Sequence, residues 1–512
     1  MDLPRIVISG ASGFVGRHLL DALKGRYKIF AMARRSQRQC GAPVHPNILW
    51  HRVDIGDIDA LSSIFKRIKD SGGAELFLHL AAYYDFTGEE HPEYWRTNVT
   101  GLRNVLELCK TLNLKKFIFA SSTAACKFPL PGKALSESSP PDGEHIYART
   151  KRIGEEMLKE YADAVPSCVV RFAAMFSDWC EYPPLFMFLG SWLEETWTSR
   201  VLAGKGISAI PYLHIRDSIT MLRKLIEQIN TIDQGEVLIA STDGAVNHLQ
   251  LFEAATLAFF GERKKPVLMP KVLCRPGIHL RKFFGNFSGH KPFESPWMCR
   301  YIDLQMNIDS NKTRQRLNWK PRPRLEMLRR IPFMVENFRA EPAEWYHRNT
   351  AALKELPLVT HLKIYQLMKA HEREIETAFN NRIFGPEGEE RLATYRSLTT
   401  EEQLWSNRQL LLQLMNSIRT RDKALFKNYC QDLAEHRFEQ GFTVQEVCDA
   451  VTVMNNVCIK ILGEDSTTKE LHKTALKDYI SMTVQFGIDE VQEVFEQWGE
   501  GEYQPDMLAL ES

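Results

Sequence analysis

A doubly wound parallel α/β sheet followed by an all-α bundle is the architecture that this 512-residue sequence predicts. Three observations predict it. Short apolar, β-branched runs alternate with amphipathic helical segments from Arg5 to Phe176, the rhythm of βαβ units. A glycine-rich turn follows the first of these runs. Beyond about residue 345, glycine and proline thin out while helical periodicity continues.

The elements can be taken in order. "RIVISGASGFVG" opens with Ile6-Val7-Ile8, a buried parallel strand, and passes through Gly10, Gly13 and Gly16 into the helical "RHLLDALKG". A glycine turn between a strand and a helix N-terminus lets backbone N–H groups and the helix dipole hold a pyrophosphate. "YKIFAMARRS" is a second strand ending at Arg34 and Arg35; "ILWHRVDIGD" ends near Asp54 and "ELFLHLAAYYD" near Ala82. "NVTGLRNVLELCKTLNLKKFIFASSTAA" is a helix and a strand that ends at Ser121 and Ser122. In such a Rossmann-type sheet all carboxyl ends face one side, where ligands bind. Residues 177–345 are expected to mix returns to the sheet with a small substrate domain, "PPLFMFLGSWL" being a buried or pocket-lining piece too short to span a bilayer.

Composition sets the remaining bounds. Hydrophobic content of 44% and charged content of 25% suit a soluble globular chain of two or three domains. No charged stretch leads into an apolar run at the start, so no signal peptide is expected. Ten scattered cysteines without a Cys-x-x-Cys argue against zinc and disulfides and fit a reducing cytoplasm. Residues 346–512 hold 18 Lys and Arg against 27 Asp and Glu, and the rest holds 47 against 37. The basic part suits an anionic ligand; the acidic part reads as a solvated helical surface.

Four ordered motifs, "GASGFVG" (Gly10–Gly16), "HLAA" (His79–Ala82), "FASSTAA" (Phe119–Ala125) and "YARTK" (Tyr147–Lys151), carry a resemblance to the extended short-chain dehydrogenase/reductase, or NAD-dependent epimerase/dehydratase, family. "VVRFAAMF", "YLHIRDS" and "DSNKTRQRLNWKPR" further along look like landmarks of the same family, so the resemblance covers roughly residues 1–345. It implies that Tyr147 is the general acid/base and that Lys151 supports its phenolate and bonds the nicotinamide ribose. A lysine ammonium one helical turn from a phenol is expected to depress its pKa. The resemblance gives Ser122 the substrate oxygen, to orient it and stabilise developing charge. It places Gly10, Ser12, Gly13, Phe14, Val15, Gly16, Asp54, Ile55, Ala81 and Ala82 around the dinucleotide, with Asp54 toward adenine.

Cofactor choice rests on the end of the second strand. A carboxylate there would take the 2′-hydroxyl of NAD, whereas "MARRSQR" offers Arg34, Arg35 and Arg38, which match a 2′-phosphate. NADP is therefore expected; NAD, with an arginine stacked on adenine, is the alternative. "MFSDWCEYPP" and "TAACKFP" stand where nucleotide-sugar members usually carry Tyr-Gly-Pro and Val-Tyr-Gly. The aromatic "YPPLFMFLGSWLEETW" suggests an apolar pocket wall, closer to the dihydroflavonol reductase and hydroxysteroid dehydrogenase branch. The expected reaction is hydride transfer with a hydrophobic alcohol or ketone. A nucleotide-sugar epimerase/dehydratase retaining NAD is one alternative, and a redox sensor signalling through the bundle is another.

The C-terminal segment, 346–512, follows a linker beginning near Arg339. Its helices are "HLKIYQLMKAHEREIETAFNNRIF", two between Thr399 or Thr400 and Gly441, one entered through a Thr443–Glu446 capping box, and one after a cap near Ser466 or Thr467. "RFEQGFTVQEVCDAVTVMNNVCIKIL" resembles the helical sensor domains of bacterial stress-response co-antagonist proteins, which implies a bacterial chain with a regulatory or dimerising module. His361, His371 and His436 show no ligand spacing and read as packing histidines. A small-molecule substrate, a homo-oligomer and a protein partner for the bundle are expected; nucleic-acid binding, a metal and membrane contact are not.

Overall fold

The structure, a computed structural model, describes residues 3–38, 40–85, 88–194, 196–288, 294–349, 360–385, 391–420, 422–465 and 475–498. The chain divides into two compact units, Met1–Leu356 and Pro357–Ser512.

In the first unit β1 (Arg5–Ser9), β2 (Lys28–Ala33), β3 (Ile48–Arg52), β4 (Leu76–His79), β5 (Lys116–Ser122), β6 (Ser167–Phe172) and β7 (Glu236–Ala240) form one sheet in the order β7-β6-β5-β4-β1-β2-β3. Every pairing is parallel. The side-chain alternation of β1 explains its double burial: Ile6 and Ile8 join Leu19, Leu20 and Leu23 of α1 (Phe14–Leu23) on one face. Val7 joins Phe77 and Phe117 on the other, under α2 (Ile58–Asp70), α3 (Leu102–Cys109) and α4 (Ile146–Glu160). The order reverses between β1 and β4, the switch point at which doubly wound sheets open a crevice.

Further helices of the unit include α5 (Pro183–Trp192), α6 (Ile215–Glu227), α7 (His248–Phe260), α8 (Lys271–Ser288), α9 (Met327–Ala340) and α10 (Pro342–Arg348). Two of the sequence landmarks meet, since Arg322 Nε bonds Asp217 Oδ1 at 2.6 Å and its N–H donates to Oδ2 at 2.9 Å. The segment read as a linker from Arg339 instead begins as helix. The buried Trp345 of α10 packs on Phe186 and Phe338, and Asn349 Nδ2 donates to the carbonyl of Trp179 at 2.7 Å. These contacts tie residues up to 349 to the first unit, whereas the sequence placed the division at 345.

The second unit contains α11 (Thr360–Ala370), α12 (Glu372–Phe384), α13 (Thr400–Thr420), α14 (Lys423–Glu439), α15 (Val444–Glu464) and α16 (Met482–Trp498). The capping box of Thr443 and Glu446 is present, and Gly441, at φ +81°, follows the end of α14. "HLKIYQLMKAHEREIETAFNNRIF" is not one helix: it breaks at His371, whose ring bonds Glu374 at 2.8 Å and Asp465 at 2.9 Å. The expected cap at Ser466 or Thr467 lies outside the described residues.

Candidate active site

The loop after β1 is shaped by close approach. Gly10 has φ +72°, and a Cβ there would lie 2.6 Å from the Ala81 nitrogen; one on Gly16 would lie 2.5 Å from the Gly10 carbonyl oxygen. No residue with a side chain satisfies both positions. Gly13 caps α1 without a side-chain bond, so the backbone donors of its first turn face the crevice uncovered by a cap. This cradle fits a dinucleotide pyrophosphate. Phe14 and Val15 open α1 behind it, and Ser12 presents its carbonyl to Arg35 Nη2 at 2.6 Å.

The residues that the sequence assigns to the adenosine end follow β2 and β3. Arg34 and Arg35 follow β2 with exposed side chains, Arg34 Nη1 reaching Glu93 at 3.4 Å. Asp54 is engaged: Oδ1 accepts the Gly56 N–H at 2.9 Å and Oδ2 pairs with Arg96 at 2.9 Å. Burial works to raise its carboxyl, but the Gly56 bond and the Arg96 guanidinium outweigh it and hold it below the usual range. Ile55 is buried beside it and its carbonyl accepts from Asn104 at 3.0 Å.

Beyond β4, the Leu80 N–H donates to Ser9 at 3.1 Å, which keeps Ala81 and Ala82 against the Gly10 turn. Asn98, not singled out in the sequence, sits in a π turn, Arg96–Gly101, ahead of α3. Its amide accepts from the Tyr83 N–H at 2.7 Å and donates to the Tyr83 carbonyl at 2.9 Å and to Thr150 Oγ1 at 3.1 Å. It thereby joins the β4 loop to the helix of Tyr147. The π turn, frequent at functional sites, has no signature in "NVTG" beyond the asparagine itself.

Ser122 ends β5, its Oγ accepting the Ala124 N–H at 3.2 Å. Tyr147 lies in the first turn of α4, half-buried, with its ring 4.9 Å from that of Tyr84. Lys151 is buried one turn on, its Nζ donating to the Ala120 carbonyl at 2.7 Å and lying 5.6 Å from the centre of the Tyr147 ring. Burial lowers Lys151 to about 8 against the opposing pull of Glu155. Tyr147 is raised, not depressed as expected, because burial disfavours the phenolate. At neutral pH the phenol therefore keeps its proton while Lys151 is still largely charged.

Gly10, Gly13, Phe14, Val15, Gly16, Ala82, Ser122, Tyr147 and Lys151 all line one cavity of about 950 Å³. Ser12, Arg34, Arg35, Asp54, Ile55 and Ala81 are not among its lining residues. The opposite wall is apolar, drawn from Phe188, Trp192, Met269, Ile278, Leu304 and Met306. Phe188 and Trp192 belong to the stretch that the sequence read as an apolar pocket wall; Met269, Ile278, Leu304 and Met306 are distant from it in the chain, and no local pattern joins them to it. Among the described residues no three His, Cys, Asp or Glu converge as metal ligands, and no helix is long and apolar enough to cross a membrane.

Comparison with known proteins adds the lineage. The chain is 22% identical over 342 residues to 3beta-hydroxysteroid-dehydrogenase/decarboxylase isoform 1 of Arabidopsis thaliana, covering 62% of this chain and 75% of that protein. It is 25% identical over 221 residues to UDP-glucuronate 4-epimerase 4 of the same plant, covering 40% and 47%. In fold it is similar to UDP-N-acetylglucosamine 4-epimerase from Methanobrevibacter ruminantium, with a TM-score of 0.51, 19% identity and coverage of 67% of this chain and 100% of that one. Residues 6–240 match the model of the NAD dependent epimerase/dehydratase family. That segment spans the seven sheet strands and the glycine cradle, and over it the chain is similar to the NAD dependent epimerase/dehydratase family.

Proposed function

We propose that the first unit is an NADP(H)-dependent oxidoreductase that interconverts a hydrophobic alcohol and its ketone. The observation that carries this is the charge of the cavity beneath its apolar wall. Among the described lining residues the side-chain cations are Lys127 and Lys151, against the carboxylates of Asp85, Glu144, Glu181 and Glu294, and no arginine is present. Lys127 is paired with Glu144 at 2.8 Å. A nucleoside diphosphate calls for cationic or bidentate donors, which this lining does not supply; an uncharged, apolar substrate asks for none.

Gly10, Gly13 and Gly16 would hold the dinucleotide pyrophosphate, with Arg34 and Arg35 disposed toward a 2′-phosphate. When bound, the nicotinamide would supply or accept the hydride. Ser122 then donates to the substrate oxygen, and Tyr147 gives that oxygen a proton in reduction and recovers it in oxidation. The phenol carries the proton that reduction needs at neutral pH, while burial makes it a weaker acid, which leaves the charge of Lys151 to offset that cost. Lys151, held by Ala120, keeps a positive charge one turn from Tyr147 and stabilises the phenolate formed when the proton leaves.

A second reading, a nucleotide-sugar epimerase or dehydratase, is favoured by the family description and by the UDP-glucuronate 4-epimerase among the relatives. One experiment separates the two. The purified chain is analysed for retained dinucleotide, titrated with NADPH and NADH, and assayed with apolar ketones and with UDP-glucuronate. Tighter NADPH binding and NADPH consumption with a ketone support the proposal. Retained NAD and interconversion of the UDP-sugar without net dinucleotide change would replace it with the second reading.

A further inference from the structure

Helix α8 has two faces that ask for different surroundings. At about 100° per residue, Val272, Leu273, Pro276 and Leu280 fall within roughly a quarter to a third of the helix circumference. Yet Val272 is 81% exposed, Leu273 54% and Leu280 59%. Cys274, Gly277 and Ile278, on the other side, line the cavity. The strand leading into the helix, Val267–Met269, adds the exposed Val267 and Leu268. Apolar side chains gathered this way mark an interaction surface more than solvated positions do.

The charge around the stripe identifies the partner. Between Gly261 and Leu280 the chain carries Arg263, Lys264, Lys265, Lys271 and Arg275 against the single acid Glu262. Lys271, Arg275 and His279 recur at every fourth residue, so they form a row beside the stripe, and all three are exposed. An apolar stripe edged by cations complements anionic headgroups over an acyl layer.

We propose that α8 docks the chain on an anionic lipid surface, with Val272, Leu273 and Leu280 entering the headgroup–acyl boundary and Lys271 and Arg275 at the phosphates. The expectation of no membrane contact rested on the lack of a bilayer-length apolar run, and an interfacial helix needs none. Because the other side of α8 walls the cavity, docking places that wall against the layer in which an apolar substrate dissolves. That last consequence rests on the hydrophobic-substrate reading; the docking itself does not.

The test is co-sedimentation of the full chain with phosphatidylcholine vesicles, with and without phosphatidylserine, alongside light scattering without vesicles. Wild type is expected to bind the phosphatidylserine vesicles and to release them as salt rises. Leu273→Glu/Leu280→Glu should lose on the order of tenfold or more in binding, with unchanged circular dichroism. Lys271→Gln/Arg275→Gln, which removes two exposed cations and the Lys271 Nζ bond to the Ile302 carbonyl at 3.2 Å, should weaken binding to the anionic vesicles with unchanged circular dichroism and decides the matter if the first variant misfolds. Wild type that ignores both vesicles, or variants that bind like wild type, would overturn the proposal. So would a loss of self-association in the glutamate variant, which would assign the stripe to a second copy of this chain. Dinucleotide titration of the same samples is independent of these outcomes, so failure of the redox reading would be seen separately.

Discussion

The two units use sequence in different ways. In the first, single positions are dictated by backbone geometry and by chemistry: Gly10 and Gly16 because a Cβ there would run into the backbone of Ala81 and of Gly10, Tyr147 and Lys151 because one helical turn separates them. In the second, helices are dictated by pattern, and the buried polar groups serve packing. Arg437 stacks on Phe442 and Tyr395 while bonding Ser406 Oγ at 3.0 Å, and His371 joins the α11–α12 break to Asp465. Motifs therefore accumulate where a ligand is to be held, while a helix bundle leaves only its periodicity to be read.

Three substitutions sharpen that contrast, from the largest expected effect to the smallest. Tyr147→Phe keeps the ring and removes the proton, so turnover should fall ~10²–10⁴-fold. Dinucleotide affinity, measured by fluorescence titration, should hardly change. Undiminished turnover would withdraw the acid/base role from Tyr147.

Gly10→Ala meets both a left-handed backbone and the Ala81 nitrogen at 2.6 Å. The expected cost is about 2–5 kcal/mol of stability, with dinucleotide binding lost. Hydrogen exchange should locate the loss of protection in β1, β4 and α1. A loss spread equally over α13–α16 would mean that the two units unfold as one and would break the contrast.

His371 gives the smallest effect. Its bonds to Asp465 and then Glu374 raise its pKa above the ordinary 6.5. The charged form is thus favoured by folding: the stabilisation is complete below the unfolded pKa and is lost as pH rises through the folded one. The side chain is partly solvated, so no more than ~1 kcal/mol is expected. Urea titrations of wild type and His371→Gln at acid and alkaline pH should differ only at acid pH. An equal difference at both would show that the ring acts by packing alone.

Much of the sheet was legible because its signals are local. A β-branched run followed by glycines and an amphipathic helix needs nothing beyond a short window to be recognised, and β1 with α1 follows that pattern. The failures share a cause. At the break in a continuous helical pattern stands His371, its ring bonded to Asp465, which is distant in the chain. Residues 339–349 read as a polar linker because the pocket that receives Trp345 is built by Phe186 and Phe338. The π turn that aims Asn98 depends on Tyr83 and Thr150 meeting there.

By itself the sequence determined the class of fold, the glycine cradle and the order of the motifs, since propensity and close approach act between near neighbours. Only the tertiary structure decided the rest. It set the burial that raises Tyr147 and brings Lys151 down to about 8. It gathered the cavity from α5, α8 and the segments around them. It also left Val272, Leu273 and Leu280 of α8 facing outward. Solvation and charge at a site depend on every atom that folding brings near it, and that proximity is not written in any stretch of chain.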